Sequence, residues 1–528
     1  MMLIKMDLRN RCISLSSFLL TFFILLSHVK GHVLTKRKAV DVDCVENGKY
    51  YRNPDSGRRN CYTYYFCLGG TVFEYACAGG LMFDIRQQIC NFEDQVKNCE
   101  DGNEATSPRP RLNTIEPICP PGQLACAGGQ CIDKTQFCDG NNDCGDGSDE
   151  SVCDFKEDPN LAPTCNRTFC ELPDCYCSTG GATPPIKDIT TIPQMIILTF
   201  DDAINVQNWD LYNTIFAANR TNKNGCPIRG TFFVSHEYSN YMYVETMWKN
   251  GHEIASHSIS HRQPEKWWSN ASKDEYTAEF EGERSILSQF ANIPMSEVKG
   301  MRVPFLRPGW NAQFDMMTDS GFLYDSSIVA PASTPPLWPY TLDFRIPHKC
   351  SGWEQKCPTR SHPGVWELVM NQLQTKSGFW CSMIDNCPGE TNADRMYDFF
   401  MTNFKRYYES NRAPFGLYFH TLWFDPEAHQ KAFLRFLDEA VAMPDVWVVT
   451  EWQLVEWMRN PTPLSQISQF GPWQCNDPQD IRKLVDPPCQ IPNYCHLSSP
   501  EVKGDRYMAT CNACPSQYPF LKNPSGQD

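Results

Sequence analysis

The 528-residue chain has a formal net charge of −15 at pH 7 and contains 27 cysteines. The acidic charge argues against nucleic acid or an anionic membrane as the main partner, and so many cysteines are unusual in a reduced cytosolic protein. A basic segment from Lys5 to Arg11 precedes an apolar run, Ile13–Leu26, which is shorter than the roughly 20 residues of a membrane span. We therefore predict that residues 1–31 are a cleaved signal peptide and that the mature chain is secreted, with no membrane span.

Disulfide pairing and glycosylation are both expected for the mature chain. Cleavage removes Cys12 and leaves an even number of cysteines, as full pairing requires. Three N-x-S/T sequons fit the secretory route, and the predicted glycosylation sites are Asn166, Asn219 and Asn270.

Cysteine spacing and composition divide the rest of the chain into segments. Polar, proline-containing stretches separate two cysteine-rich modules from a longer region with few cysteines. The predicted segments are a first module at 41–101, a linker at 102–117, a second module at 118–154, a cysteine-containing connector at 155–192, an α/β domain at 193–460 and a cysteine-containing tail at 461–528.

The first module has six cysteines between Cys44 and Cys99, with many aromatic residues among them. So short a module buries little apolar surface, so disulfides, each contributing about 2–4 kcal/mol, must hold it. Its aromatic rings either form a small core or stack on the flat faces of sugars. The cysteine spacing resembles that of the peritrophin-A chitin-binding domain. That resemblance implies binding of chitin and the disulfides Cys44–Cys67, Cys61–Cys99 and Cys77–Cys90.

The second module ends in an acidic turn between Cys138 and Glu150. Carboxylates crowded into one turn repel each other unless a hard cation such as Ca²⁺ lies among them; the alternative is a solvated acidic turn. The module resembles the LDL-receptor class A repeat, whose relatives bind proteins, so other cuticle or matrix proteins are candidate partners. The resemblance implies calcium ligation by Asp139, Asp143, Asp149 and Glu150, backbone ligation by Gln136 and Asn141, and the disulfides Cys119–Cys131, Cys126–Cys144 and Cys138–Cys153.

From about Pro193 to Arg459, short apolar runs rich in β-formers alternate with amphipathic stretches. This alternation predicts a parallel α/β sheet or barrel. The predicted strands are Gln194–Phe200, Gly230–Ser235, His252–Ala255, Val298–Val303, Phe415–His420 and Val446–Thr450. The predicted helices are Glu275–Phe290, Asp394–Tyr408 and Pro426–Ala442.

Five polar motifs each follow a strand-like run of this region. Because the carboxyl ends of parallel strands meet on one face, we expect the motifs to converge there. Two histidines four apart, with one carboxylate, match the ligand set of a catalytic zinc, although such pairs also occur by chance. The motifs are Thr199-Phe-Asp-Asp202, His257-Ser-Ile-Ser-His261, Arg302-Val-Pro-Phe305, Asp325-Ser-Ser327 and Leu417-Tyr-Phe-His420.

In this order the motifs resemble the polysaccharide deacetylase superfamily, the NodB-homology fold of carbohydrate esterase family 4. The domain combination resembles that of insect chitin deacetylases. The resemblance implies a multidomain protein in which a distorted (β/α) barrel follows two small disulfide-rich modules. It also implies a divalent metal, expected to be zinc, on Asp202, His257 and His261. The implied roles of the other residues are general base for Asp201, general acid for His420, orientation of Asp201 for Arg302, and oxyanion stabilisation for the backbone N–H near Phe305.

Two further expectations concern the surroundings of these motifs. Asp325 is the carboxylate expected to support His420, with Asp343 as the alternative. The stretch from Pro331 to Pro388 is expected to be a disulfide-braced insertion at the rim of the cleft. Five tryptophans are candidates for stacking on sugar rings, although about half are expected in the core: Trp310, Trp338, Trp353, Trp380 and Trp423.

The function predicted from the sequence is metal-dependent hydrolysis of the N-acetyl groups of chitin, giving chitosan and acetate in an extracellular matrix. The alternative is an inactive, chitin-binding matrix organiser, but none of the residues that catalysis needs is missing. A third hypothesis changes the substrate to peptidoglycan or acetyl-xylan, and the chitin-binding module argues against it.

Overall fold

The fold is taken from a computed structural model. It describes residues 160–178, 180–388 and 391–527, with short segments of the two N-terminal modules (50–52, 63–68, 71–76, 81–84, 89–92, 119–120, 123–126, 130–137, 143–145 and 149). The chain divides into two compact units, Met1–Thr114 and Ile115–Asp528. Within the described residues, no helix has the length and apolar character needed to cross a bilayer.

The first unit contains two small antiparallel sheets. Strands β1 (Tyr50–Arg52), β2 (Thr63–Leu68) and β3 (Thr71–Ala76) form a three-stranded sheet, and β4 (Leu81–Asp84) pairs with β5 (Ile89–Phe92). The three disulfides predicted for this module lie outside the residues whose side chains are described.

The second module is a small hairpin braced by disulfides. Strands β6 (Gln123–Ala125) and β7 (Cys131–Asp133) pair antiparallel, and the predicted disulfides Cys119–Cys131 and Cys126–Cys144 are both formed. The third predicted pair, Cys138–Cys153, lies outside the described residues. This module touches the α/β domain, because Arg360 donates a hydrogen bond to the backbone oxygen of Thr135 at 3.1 Å.

The rest of the second unit alternates strands with helices, as the sequence predicts. Its strands are β8 (Gln194–Asp201), β9 (Thr231–Val234), β10 (Glu253–Ser256), β11 (Gly300–Met301), β12 (Tyr324–Asp325), β13 (Tyr340–Leu342), β14 (His362–Glu367), β15 (Leu373–Gln374), β16 (Trp380–Cys381), β17 (Phe415–Phe419), β18 (Val446–Val449), β19 (Asn493–Ser499) and β20 (Val502–Thr510). Its helices are α1 (Val206–Ile215), α2 (Tyr241–Lys249), α3 (Lys273–Tyr276), α4 (Gly282–Ala291), α5 (Trp310–Ser320), α6 (Ala393–Tyr408), α7 (Glu427–Ala442), α8 (Glu451–Arg459), α9 (Leu464–Ile467) and α10 (Ile481–Leu484).

Nine strands form one sheet in the order β13-β14-β12-β11-β10-β9-β8-β17, with β18 also paired to β8. Every pairing is parallel except that of β13 with β14. All residues of β8 are buried, and the ring of Phe200 stacks on Phe232 at 5.3 Å and on Phe419 at 5.7 Å between centroids. The prediction of a parallel α/β domain after disulfide-rich modules is confirmed, and this aromatic core lies beneath the ends of the central strands.

The prediction that Pro331–Pro388 is an insertion is wrong in part. Strands β13 and β14 of this stretch belong to the main sheet. Strand β14 is not predicted from the sequence because two of its residues, Pro363 and Gly364, are exposed and interrupt the apolar pattern. The disulfides Cys350–Cys357 and Cys381–Cys387 each close a short loop outside the sheet.

The connector and the tail are integral parts of the second unit. Cys165–Cys177 and Cys170–Cys175 brace the connector, whose Tyr176 accepts a backbone hydrogen bond from Thr341 at 2.8 Å. In the tail, Cys475 is bonded to Cys226 of the α/β domain. The antiparallel hairpin of β19 and β20 buries inward side chains against the main core and is braced by Cys489–Cys511 and Cys495–Cys514.

Candidate metal and catalytic site

The predicted site residues lie at the carboxyl ends of neighbouring strands. Asp201 ends β8, and Asp202 follows it with a φ of 77°, a left-handed conformation that costs free energy in a non-glycine residue. This turn separates the two carboxylates, because Asp201 is buried whereas the side chain of Asp202 is 47% exposed. The end of β8 thus offers one shielded and one accessible carboxylate.

Asp202, His257 and His261 bring their ligand atoms together. An oxygen of Asp202 lies 3.9 Å from Nε2 of His257 and 3.6 Å from Nε2 of His261. All three ligand atoms lie within 4.8 Å of one another. The backbone between the histidines is not helical, because Ser258 and His261 have positive φ values of 74° and 39°. An irregular loop therefore places both imidazoles on one side.

The chemistry of this donor set fits a divalent metal. Nδ1 of His257 lies 2.7 Å from the backbone oxygen of Arg302, which fixes the proton on Nδ1 and leaves Nε2 as the ligand atom. Burial, together with the neighbouring His261, lowers the pKa of His257 to about 4, so the imidazole is neutral at neutral pH, as a metal ligand must be. Two imidazoles and one carboxylate with an accessible side match a catalytic zinc site.

Glu279 holds the histidine loop, although no sequence motif marks it as a site residue. Its carboxylate accepts hydrogen bonds from the backbone of Ile259 at 3.1 Å and of Ser260 at 2.8 Å. Glu279 lies in a π-helical turn, Thr277–Glu281, between α3 and α4, within the stretch predicted as one regular helix. Such turns are often found near functional sites. A break in helical periodicity next to an acidic residue is too weak a pattern to have identified it.

Asp201 forms an ion pair with Arg302, as the resemblance implies. Nη1 of Arg302 lies 2.6 Å from Oδ1 of Asp201, and both side chains are buried. Burial alone would raise the pKa of Asp201, but the charges of Arg302, His257 and His420 outweigh it and lower the pKa below its ordinary value. Asp201 is therefore ionised and held in one orientation.

Arg302 has a second carboxylate partner, Glu451, which the sequence did not reveal. Nη2 of Arg302 lies 3.3 Å from Glu451, while Nε donates to the backbone oxygen of Ser326 at 2.7 Å. Burial raises the pKa of Glu451 to about 8 even though Arg302 opposes this shift. Glu451 directly follows Thr450, after strand β18, so the rule that selected the five motifs would also have selected it.

His420 contacts Asp385, and the prediction of Asp325 or Asp343 as its partner is wrong. Nδ1 of His420 lies 2.9 Å from Oδ2 of Asp385, and its Nε2 lies 3.9 Å from Asp202. Burial lowers the pKa of His420, but the hydrogen bond to Asp385 and the charges of Asp201, Asp385 and Asp202 outweigh burial and raise the pKa to about 9. His420 is thus protonated at neutral pH. Asp385 lies in the loop that Cys381–Cys387 closes.

Asp325 instead supports the turn that carries Arg302. Its carboxylate accepts hydrogen bonds from Gln313 at 2.7 Å and from the hydroxyl of Ser327 at 2.7 Å. Ser327 in turn accepts a hydrogen bond from the backbone of Val303 at 2.8 Å. Burial raises the pKa of Asp325 to about 6. The carboxylate of Asp343 accepts a hydrogen bond from the backbone of Gly364 at 3.2 Å.

Comparisons with known proteins show which families the domains of this chain match. Residues 188–318 match the model of the polysaccharide deacetylase family, residues 44–99 that of the chitin-binding peritrophin-A domain, and residues 117–153 that of the low-density lipoprotein receptor domain class A. Chitin deacetylase 1 of Bombyx mori is 44% identical over 492 residues, which cover 91% of this chain and 90% of that protein. This chain belongs to the chitin deacetylase family.

Two other similarities extend the comparison. Chitin deacetylase 8 of Bombyx mori is 38% identical over 374 residues, covering 70% of this chain and 94% of that protein. Among solved structures, a probable polysaccharide deacetylase from Pseudomonas aeruginosa PAO1 aligns with a TM-score of 0.35 and 16% identity, over 51% of this chain and 92% of that one.

In this chitin deacetylase family member, Phe305 lies beside the metal-ligand cluster. Its ring meets that of His261 edge-on at 4.7 Å between centroids, and its φ of 59° marks a tight turn. Of the five candidate tryptophans, Trp310, Trp338 and Trp423 are buried, whereas Trp353 is 77% exposed. Trp353 lies in a loop tied to the Phe305 turn, since Gln355 donates to the backbone oxygen of Leu306 at 2.8 Å.

The calcium-binding prediction falls partly on described residues. Asp149 is buried, and its carboxylate accepts backbone hydrogen bonds from Asp143 at 2.6 Å and Cys144 at 3.1 Å. The side chain of Asp143 accepts a hydrogen bond from Gln136 at 3.0 Å. Asp139, Asn141 and Glu150 lie outside the described residues. The predicted glycosylation sites Asn166, Asn219 and Asn270 are all exposed.

Proposed function

We propose that this protein hydrolyses the N-acetyl groups of chitin, giving chitosan and acetate, with zinc held by Asp202, His257 and His261. The observation that carries the proposal is the meeting of an ionised aspartate, a His₂Asp cluster and a protonated histidine at one sheet edge. The match of residues 44–99 to a chitin-binding family supports chitin as the substrate. The similarity to chitin deacetylase 1 of Bombyx mori supports the same reaction.

A divalent cation bound at this cluster would polarise the acetamide carbonyl as a Lewis acid and make bound water more acidic, with a pKa of about 7. The protein's part is to hold its ligand atoms in place. The backbone oxygen of Arg302 fixes His257, and Glu279 fixes the loop before His261. These supporting groups set the tautomer and orientation that binding requires.

Asp201 is positioned to act as the general base. It is ionised because Arg302 lowers its pKa, and it lies next to Asp202 in the chain. Asp201 accepts a proton from the attacking water as the new C–O bond forms. Such a positioned proton transfer contributes about 10²–10⁴-fold to the rate. The buried ion pair with Arg302 limits the movement of the Asp201 carboxylate.

His420 is positioned to act as the general acid. Its Nδ1 is hydrogen-bonded to Asp385, and its Nε2 faces the oxygen of Asp202 at 3.9 Å. Because its pKa is raised to about 9, His420 carries a proton to give to the leaving amine nitrogen. The C–N bond breaks as that proton is transferred, so one water and one acetamide become acetate and an amine.

The setting proposed for this reaction is an extracellular chitin matrix. Nine disulfides form among the described residues, which favours an oxidising compartment. We assign Ca²⁺ to the class A module, where Asp143 and Asp149 share one turn. Cuticle or matrix proteins are the proposed partners of that module.

Acetate release from chitin oligosaccharides by the purified full chain tests the proposal. We expect release by the wild type, loss of at least about a hundredfold in an Asp201→Asn variant, and no change in an Asp319→Asn variant. Asp319 is an exposed carboxylate paired with Lys273 on the surface. No release from any chitin substrate, with zinc supplied, would contradict the proposal.

The same variant separates catalysis from the alternative of a matrix organiser. Asp201→Asn leaves the N-terminal chitin-binding module unchanged, so binding to insoluble chitin should persist while acetate release is lost. If the variant organised chitin fibres as well as the wild type does, binding alone would account for the biological role.

A further inference from the structure

A groove of about 1190 Å³ begins at Asp202 and runs between the β8–α1 turn and the C-terminal hairpin of β19 and β20. It exceeds the roughly 300–1,000 Å³ that usually holds a single small ligand. Its lining includes both Asp202 of the candidate metal site and residues of the C-terminal tail, to which the sequence assigned no chemistry.

The hairpin presents aromatic side chains to this groove. Strand β19 alternates, so that Tyr494 and His496 point outward while Cys495 and Leu497 are buried. On β20, Tyr507 is paired with His496, and their rings stack at 4.8 Å with an angle of 7°. Tyr494 is 77% exposed and Tyr507 is 68% exposed.

These rings are held in place although they bury little surface of their own. Cys489–Cys511 and Cys495–Cys514 brace the hairpin, and Leu497 and Met508 anchor its inner face in the main core. Exposed apolar surface on a rigid element marks an interaction site more often than a fold requirement. Because the scaffold is fixed in advance, a ligand would bind these rings with little loss of conformational entropy.

The other side of the groove has a matching character. Tyr238 is 73% exposed and Leu422 is 77% exposed, and both line the groove. The exposed polar side chains of Gln207 and Asp210 also line the groove. Flat apolar faces beside polar side chains match the surface of a pyranose chain, whose C–H faces are flanked by hydroxyl and acetamide groups.

We propose that this groove binds the N-acetylglucosamine units next to the one being deacetylated, with Tyr494 and Tyr507 stacking on their rings. The inference rests on the proposed function for its substrate. What it adds to that function is that the C-terminal hairpin sets the preference of the enzyme for longer chitin chains. Continuity of the groove with Asp202 is the reason for assigning it to the substrate rather than to a separate ligand.

The kinetic test compares chitin disaccharide with chitin hexasaccharide. In a Tyr494→Ala/Tyr507→Ala variant we expect kcat/KM to fall about tenfold on the hexasaccharide, the effect of losing aromatic stacking, and less on the disaccharide. The Tyr494→Phe/Tyr507→Phe variant keeps the rings and should retain most of the preference. Phe169→Ala, which removes another exposed ring outside the groove, is the control without effect. An unchanged ratio of the two kcat/KM values in a folded alanine variant would overturn the inference.

A second measurement does not depend on turnover. In hydroxyl-radical footprinting of the Asp201→Asn protein, chitin hexasaccharide should reduce oxidation of Tyr494 and Tyr507 but not of Phe169. Protection of the two tyrosines without acetate release by the wild type would support chitin binding in the groove and contradict the proposed function. Acetate release by the wild type without protection would support the proposed function and contradict chitin binding in the groove.

Discussion

Nδ1 of His420 lies 2.9 Å from Oδ2 of Asp385, and the two residues come from different parts of the chain. His420 follows strand β17, whereas Asp385 lies in a short loop closed by Cys381–Cys387. The side chain of Asp385 therefore orients the imidazole of the proposed general acid and contributes to its raised pKa.

An Asp385→Asn variant tests this relationship through the pH profile. Asp385 contributes to the raised pKa of His420, so the amide should let that pKa fall while the charges of Asp201 and Asp202 remain. Activity that needs protonated His420 is present below its pKa and lost above it, so the alkaline limb of kcat/KM should move to lower pH. An alkaline limb at the wild-type pH would show that Asp385 does not act through His420.

The disulfide that closes this loop should matter for rate more than for folding. A Cys381→Ser/Cys387→Ser variant opens a very short loop, so its stability should change little, but kcat should fall because Asp385 is held less firmly. The matched control is Cys170→Ser/Cys175→Ser, which opens a similarly short loop in the connector. When Asp385→Asn is already present, the Cys381→Ser/Cys387→Ser substitutions should lower kcat little further, because both changes act through Asp385. Additive losses would indicate that the disulfide acts elsewhere.

Sequence patterns located the site because its ligands follow apolar strands. Asp201, Asp202, His257, Arg302 and His420 all lie at strand ends that the alternation of apolar and polar residues marks. Asp385 could not be predicted as a site residue in this way because no long strand precedes it. Only the close spacing of two cysteines around it could have suggested a fixed loop.

The supporting residues were harder to predict for a physical reason. The position of Glu451 after strand β18 is visible in the sequence, but its pairing with Arg302 depends on how the elements pack, as does the pairing of Glu279 with the histidine loop. Asp325 ends strand β12 and supports the neighbouring turn through Ser327, so its place at a strand end does not identify its partner. Strand β14 was missed because proline and glycine interrupt its pattern.

Glu451 should make stability fall with rising pH. Burial raises its pKa to about 8 in the folded protein, whereas in the unfolded chain it titrates near about 4.3. Between these values the folded state holds the extra proton, so the free energy of unfolding decreases as the pH rises. Between about pH 5 and about pH 8, the melting temperature of a Glu451→Gln variant should fall less than that of the wild type. Glu171→Gln, at an exposed position, is the control, and identical pH dependence in all three proteins would contradict this assignment.

Titration of zinc into metal-free protein, with acetate release and bound metal measured together, tests the central claim most directly. We predict that chelation abolishes release from chitin hexasaccharide, and that activity returns in proportion to zinc bound by the Asp202, His257 and His261 cluster. A His257→Ala/His261→Ala variant should neither take up this zinc nor recover activity. Full acetate release by zinc-free protein, or by that variant, would contradict the account.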